Sequence, residues 1–342
     1  MDLALITSQD LHLYVSSLIG SGPDIIGVVP REGRAVYAPL ERGHTFTLDY
    51  DETALPPKEF LLPPREALLT FEPFDVHSCR QVTEARPQVL VGVHPGDLAA
   101  IALLDKAFTA APRDCHYVRR RELTTLVGMN LTRPFEHRFN SGAVLGTAYA
   151  AADLMLTDLG NDTLAVEILT AKGRLLLNGC RNKPAGAALQ AKIEERKSAV
   201  RDALQLAVRP ADVPTFLGLR EDAALLAARG EQCVSCGACV RVCPTCYCFN
   251  MRDELDLARQ VGRRLRVWDG CTRPDFGAAP GAASLRRTAA DRFRHRILCK
   301  GKYQHDRFGL AGCVGCGRCA RACSAGIASP AKLINDLAGK GG

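Results

Sequence analysis

The chain has 342 residues, 47% of them apolar, which is enough to bury a sizeable core and predicts two or three domains. No run approaches the length of a membrane span and the N-terminus has no basic segment, so we expect a cytoplasmic protein without a signal peptide. The formal net charge is +7, and twelve of the fifteen cysteines follow residue 232, which indicates metal ligation in a reducing compartment rather than disulfide bonds.

The first 183 residues show the alternation expected of an α/β domain with a central sheet. A helix is predicted to begin at Ser8. Another helix is predicted over residues 98–108, with Asp97 as its N-cap. The turn before this second helix could also bind an anion on free backbone N–H groups, but a helix cap is the favoured interpretation. A proline-rich crossing at residues 56–64 leads into a short predicted helix at residues 65–70. Short apolar runs predict strands at residues 24–30, 35–38, 45–48, 88–93, 123–127, 154–157, 163–169 and 175–177.

Two helical patterns follow this domain and form a connector at residues 184–230. The first covers residues 184–207, and the second covers residues 214–229 with Gly230 as its C-cap. Most of the cysteines lie beyond this connector, so residues 231–338 are predicted to form a metal-binding domain.

Two cysteine arms with the same spacing, C-x2-C-x2-C-x3-C, define this last domain. The first arm is Cys233, Cys236, Cys239 and Cys243, and the second is Cys313, Cys316, Cys319 and Cys323. Two such arms are typical of bacterial ferredoxins with two 4Fe–4S clusters, in which the fourth cysteine of each arm binds the other cluster. The fold class is therefore α+β: an N-terminal α/β-type domain with a central sheet, a helical connector, and a C-terminal two-cluster ferredoxin-like domain.

The crossed pattern assigns four ligands to each cluster. The first cluster is predicted on Cys233, Cys236, Cys239 and Cys323, and the second on Cys313, Cys316, Cys319 and Cys243. Gly237 and Gly317 follow the second cysteine of each arm, where a residue without a Cβ lets the backbone turn tightly. A large insert, residues 244–312, separates the arms.

The insert carries four further cysteines, the complement of a third 4Fe–4S cluster: Cys246, Cys248, Cys271 and Cys299. Arginines crowd the same insert and would balance a buried negative cluster: Arg263, Arg264, Arg266, Arg286, Arg287, Arg292, Arg294 and Arg296. A zinc site with four thiolates, or free thiols, are the alternatives. Three clusters of roughly −2 each would bring the net charge to roughly +1, which removes the main support for nucleic-acid binding. The isolated Cys79, Cys115 and Cys180 are expected to be ordinary thiols.

Several stretches resemble a known family of iron–sulfur electron-transfer subunits, and the cysteine-rich half matches it best. They lie at Lys58 with residues 62–66, at residues 92–98 with 104–105, and at residues 117–120, 157–160, 243–249, 266–271 and 312–319. The family comprises the β subunits of sulfhydrogenase-type NiFe hydrogenases and the corresponding iron–sulfur subunits of anaerobic sulfite reductases. Its members tend to carry additional cysteines at the position of Gly96 and within residues 130–142, where this chain has none, so a further metal site in the N-terminal domain is not expected. Cys299 stands near a position where relatives tend to have histidine.

The resemblance implies a non-catalytic subunit that passes single electrons through its clusters. The implied partners are the catalytic subunits of a cytoplasmic NiFe hydrogenase and a flavin-containing NAD(P)H-linked subunit. A sulfite reductase or another oxidoreductase complex is the alternative within the family, and a zinc-stabilised interaction scaffold is the alternative from another class. No nucleotide-binding glycine motif is present in this chain, so the nicotinamide and flavin are expected on a partner.

Overall fold

The computed structural model describes residues 2–139, 142–204, 206–221, 224–278 and 286–339. The strands are β1 (Asp2–Thr7), β2 (Asp24–Arg31), β3 (Arg34–Pro39), β4 (Arg65–Glu72), β5 (Asp75–Gln81), β6 (Gln88–Val93), β7 (Thr124–Met129), β8 (Leu154–Gly160), β9 (Thr163–Ile168), β10 (Lys183–Ala185), β11 (Phe249–Asp256) and β12 (Val261–Trp268). The α-helices are α1 (Ser8–Leu18), α2 (Pro95–Thr109), α3 (Cys115–Glu122), α4 (Gly142–Ala151), α5 (Ala171–Leu177), α6 (Ala188–Ala203), α7 (Val213–Gly218), α8 (Ala224–Glu231), α9 (Ala238–Arg241), α10 (Ala289–Leu298), α11 (Gln304–Phe308), α12 (Arg318–Arg321) and α13 (Pro330–Leu337). Short 3₁₀ helices cover Pro57–Phe60 and Pro210–Asp212, and a π-helical turn covers Cys299–Tyr303.

An eight-stranded mixed sheet forms the body of the N-terminal region, in the order β10-β1-β9-β8-β7-β6-β2-β3. The strands β2, β6, β7 and β8 run parallel to one another, and the outer pairs are antiparallel. Helices cross between the parallel strands, with α2 and α3 after β6 and α4 after β7. Five of the six residues of β6 are buried, because a central parallel strand is covered on both faces.

A second sheet joins two hairpins that are far apart in the sequence. Its order is β11-β12-β4-β5, and every pair is antiparallel. The strands β4 and β5 belong to the N-terminal region, whereas β11 and β12 belong to the insert between the cysteine arms. The insert is thereby anchored on the N-terminal region through the β12–β4 ladder. Within the described residues, no helix combines the length and apolarity needed to cross a membrane.

The helical segments at the C-terminal end pack around the cysteine arms. Helix α8 packs along α10, and both contribute to an apolar cluster with α7 and α13. Gly230 in α8 allows this close approach, since a Cβ there would come within 2.5 Å of the Ala290 Cα. The predicted α+β class with a central sheet is confirmed.

Six local predictions are wrong. Residues 65–70 extend into β4 because they pair with β12, and residues 175–177 belong to α5, whose N-cap is Thr170. Residues 45–48 form a loop, in which the buried Phe46 stacks on His12 with ring centroids 4.3 Å apart. The predicted helix at 214–229 is two helices, since α7 ends at Gly218, and Gly230 lies inside α8 rather than capping it. The N-cap of α2 is His94, not Asp97.

Candidate metal centres

The two cysteine arms have the same backbone conformation. Gly237 and Gly317 adopt left-handed φ angles of 78° and 85° and directly precede the short helices α9 and α12. Two residues earlier in each arm, Ser235 and Gly315 are also left-handed, with φ of 55° and 64°. Repeated left-handed residues curl each arm around its three closely spaced cysteines. The helices α9 and α12 pack against each other, so the arms meet despite the insert between them.

Cys243 of the first arm lies with the closely spaced cysteines of the second arm. One pocket is lined by Cys243, Cys313, Cys316 and Cys319. Burial raises the pKa of Cys313, and the neighbouring Cys319 and Cys243 act in the same direction. Burial also raises the pKa of Cys316 to about 12. The predicted second ligand set is therefore brought together in a buried place, where deprotonation of the thiols needs a strong positive charge such as iron.

The predicted first ligand set lies closer to the surface. Cys239 interacts electrostatically with Cys233, while burial is the main cause of the raised pKa of Cys239. Cys233 and Cys323, which come from different arms, pack against the same apolar cluster around Phe293. Cys236 is exposed, so the first ligand set reaches the protein surface.

The four cysteines of the insert lie together at the base of the β11–β12 hairpin. The thiols of Cys246 and Cys271 are both within hydrogen-bond reach of the Cys248 thiol. The bond with Cys246 lowers the pKa of Cys248, but the bond with Cys271 and burial outweigh it and raise the pKa to about 11. Cys299, at the end of α10, has a pKa raised by burial and interacts electrostatically with Cys246. The insert thus brings together the four cysteines predicted to hold a third cluster.

Three buried cations surround these thiols. Lys58 and Arg296 are each 2% exposed, and Lys300 is 7% exposed. Lys58 donates to the Cys243 and Cys246 carbonyl oxygens at 2.8 Å each, and Arg296 donates to the Cys239 carbonyl oxygen at 3.0 Å. Burial lowers the pKa of Lys300, but the charges of the nearby thiolates outweigh it and raise the pKa above its ordinary value.

The charge balance tests whether the cysteines fit a negatively charged cluster. Among the described residues, none of the three cations has a carboxylate within 4 Å, whereas buried Arg266 and Arg318 are paired with Glu66 and Asp97. Since a buried charge is costly without a counter-charge, the thiolates and the iron–sulfur core they would hold must supply it. The donor set and its surroundings therefore fit 4Fe–4S clusters. In the part of the chain that the structure describes, no three or more His, Cys, Asp or Glu side chains form a site for a single metal ion.

A buried ion pair ties the second arm to the N-terminal sheet. Arg318 donates to both carboxylate oxygens of Asp97, at 2.5 and 2.7 Å, and both side chains are 2% exposed. The same guanidinium donates to the Thr53 carbonyl oxygen at 2.9 Å. His94 stacks on Tyr50 next to this pair, and burial lowers the pKa of His94 well below its usual value. The arm is thus held by the first turn of α2.

The sequence identified the cysteines but not most of the cations around them. Of the predicted arginines, Arg296 reaches the thiols, while Arg292 donates to the Ser235 hydroxyl in the first arm at 2.9 Å. Arg266 is compensated by Glu66, and Arg263 and Arg264 are exposed on β12. Lys58 belongs to the stretches that resemble the family, but its place beside the thiols was missed because its contacts lie far away in the sequence. A signal for Lys300 was present, since it follows Arg296 by four residues and thus shares a helix face with it.

Comparison with known proteins agrees with this arrangement. A family described as "4Fe-4S dicluster domain" matches residues 232–327, which include both arms and the insert. The β subunit of sulfhydrogenase 2 from Pyrococcus furiosus is 31% identical over 332 residues, which cover 89% of this chain and 92% of the relative. This chain belongs to the sulfhydrogenase β-subunit family. No solved structure matches it.

Membership in this family makes the chain an iron–sulfur electron-transfer subunit. The dicluster match shows that its cysteine domain carries 4Fe–4S clusters. The predicted family and cofactor type are confirmed. Cys79 and Cys115 are exposed and Cys180 is buried, and all three lie outside the matched region.

Proposed function

We propose that the chain holds three 4Fe–4S clusters on twelve cysteines and conducts single electrons through them. The first cluster is bound by Cys233, Cys236, Cys239 and Cys323, the second by Cys243, Cys313, Cys316 and Cys319, and the third by Cys246, Cys248, Cys271 and Cys299. When bound, each cluster accepts and releases one electron at a time. The protein shields the thiols of the second and third groups from water more than those of the first, and it provides fixed positive charge beside them.

One observation carries this proposal: neighbouring groups of cysteines share the same buried cation. Arg296 interacts with Cys239 of the first group and with Cys319 and Cys243 of the second. Lys300 interacts with Cys243 of the second group and with Cys246 and Cys299 of the third. A cation that interacts electrostatically with thiols of two groups indicates that those groups lie near each other. Adjacent clusters are what an electron-transfer protein needs, because electrons tunnel only over short distances.

For the partners, we propose a flavin-containing NAD(P)H-linked subunit on one side and catalytic subunits of a cytoplasmic NiFe hydrogenase on the other. The support is the similar Pyrococcus furiosus protein, which is named as a subunit of a sulfhydrogenase. Residues 1–183 would serve as the docking domain, residues 184–230 as a helical connector, and residues 231–338 as the iron–sulfur domain. The second sheet favours rigid attachment of the insert to the docking domain, since β12 pairs with β4.

Anaerobic purification of the tagged chain from its native cells, followed by identification of the attached subunits, tests this assignment. We expect a flavoprotein and a NiFe hydrogenase large subunit to co-purify. Recovery with sirohaem-containing subunits would replace the hydrogenase assignment by a sulfite reductase. Recovery of a chain that contains zinc but no acid-labile sulfide would overturn the electron-transfer proposal altogether.

A further inference from the structure

A four-residue segment, residues 243–246, supplies ligands to two of the proposed clusters and is held by two buried lysines. Cys243 belongs to the second ligand set and Cys246 to the third. Lys58 donates to the carbonyl oxygens of both cysteines at 2.8 Å. Lys300 donates to the carbonyl oxygen of Thr245, between them, at 3.0 Å. The two ammonium groups therefore hold the same backbone segment.

The two lysines reach this segment from distant parts of the chain. Lys58 stands in the 3₁₀ helix that precedes β4, and its ammonium lies 4.1 Å from the centroid of the Trp268 ring. Lys300 stands in the π-helical turn after α10, where Gln304 Oε1 accepts a second hydrogen bond from it at 3.2 Å. Neither the Trp268 ring beside Lys58 nor the Gln304 side chain beside Lys300 is negatively charged. Such positions are costly for a cation unless a negative centre lies nearby.

The thiols nearest to the two lysines are those of the second and third sets. Lys300 interacts electrostatically with Cys243, Cys246, Cys299 and Cys248. Lys58 interacts with Cys246, Cys243 and Cys248. The first ligand set has a different cation, Arg296, which also faces the second set. The two lysines thus interact with the second and third sets, whereas Arg296 interacts with thiols of all three sets.

We propose that Lys58 and Lys300 are positioning residues that raise the reduction potentials of the second and third clusters together; this rests on the three-cluster assignment above. Reduction of a cluster by one electron adds one negative charge, and a fixed cation in a medium of low polarity favours that charge. The donor subunit provides the electron, which leaves to the acceptor subunit. With both lysines in place, an added electron is more stable on the second and third clusters than it would be without these charges.

The test is an anaerobic potentiometric titration followed by electron paramagnetic resonance on the complete complex, with Lys58→Met compared with the unchanged chain. Removal of the charge is expected to shift the one-electron reduction equilibrium of the second and third clusters about tenfold towards the oxidised form, which is about 59 mV. The signal of the first cluster is expected to titrate as before.

Lys172→Met is the matched control. Lys172 is an exposed lysine that donates to the carbonyl oxygens of Glu122 and Thr124, at 2.5 and 3.4 Å. Lys172→Met removes the same kind of hydrogen bonds as Lys58→Met, but these bonds lie at the junction of α3 and β7, away from the cysteine domain. Its substitution is expected to leave all potentials unchanged. Lys58→Arg, which keeps the charge, is expected to retain most of the reduction potential that Lys58→Met loses.

Iron and sulfide counts separate failure of this inference from failure of the three-cluster assignment. If the unchanged chain contains about eight iron atoms rather than about twelve, the assignment itself is wrong. If Lys58→Met contains the full amount of iron and its potentials do not move, the lysine proposal is wrong. If Lys58→Met loads incompletely, Lys58→Arg decides: restored loading supports the role of the charge, and equally poor loading contradicts it.

Discussion

Loss of the Asp97 carboxylate should destabilise the attachment of the second arm. Asp97→Ala leaves the Arg318 guanidinium, which is 2% exposed, without its charged partner. Two hydrogen bonds, at 2.5 and 2.7 Å, are lost at the same time. Removal of one member of a buried ion pair costs about 3–5 kcal/mol of unfolding free energy, because the other charge stays buried and unpaired.

The assay is anaerobic urea unfolding of the loaded chain, followed by far-UV circular dichroism and by the visible absorbance of the clusters. Asp253→Ala is the control, because Asp253 forms a similar two-bond pair with Arg264, both bonds being 2.8 Å, but at an exposed site. Exposed pairs contribute about 0–1 kcal/mol. The double variant Asp97→Ala/Arg318→Met should recover part of the loss. A cost for Asp97→Ala no larger than that of the control would refute the reasoning.

Two further predictions concern the third ligand set and the pH dependence of stability. Cys271→Ser should remove roughly four iron and four sulfide per chain, whereas Cys79→Ser, at an exposed cysteine, should remove none; equal iron contents would contradict the third ligand set. Burial raises the pKa of Glu59 to about 7, against the opposing effect of Lys58, so the folded chain keeps a proton there that the unfolded chain releases near pH 4.5. The stability of the unchanged chain should therefore fall relative to Glu59→Gln as the pH rises from about 4.5 to 7, and anaerobic melting curves with the same pH dependence for both chains would disprove this.

The cysteine arms could be predicted from sequence because their chemistry is local. Spacing alone indicated three ligands per arm, and the requirement for left-handed residues explained Gly237 and Gly317. The crossing of Cys243 to the second arm followed from the known ferredoxin pattern, and the structure brings these cysteines into one pocket. Motifs of this kind can be predicted from sequence because covalent geometry and the metal restrict the possible spacings of the ligands.

What escaped prediction depends on contacts between distant residues. Residues 65–70 have a mixed pattern, and only pairing with β12, almost 200 positions later, makes them a strand. Asp97 was assigned to a helix cap, since nothing local shows that Arg318 reaches it. The role of Lys58 likewise depends on two backbone carbonyls of the cysteine domain. Tertiary contacts of this kind override local preferences, and a single sequence does not reveal them.

We propose that one chain carries three 4Fe–4S clusters for electron transfer. The most direct test is the measurement of iron, acid-labile sulfide and zinc in the anaerobically purified, unmodified chain. We expect about twelve iron and twelve sulfide per chain and no stoichiometric zinc. About eight of each would contradict the third cluster, and zinc without sulfide would contradict the electron-transfer function.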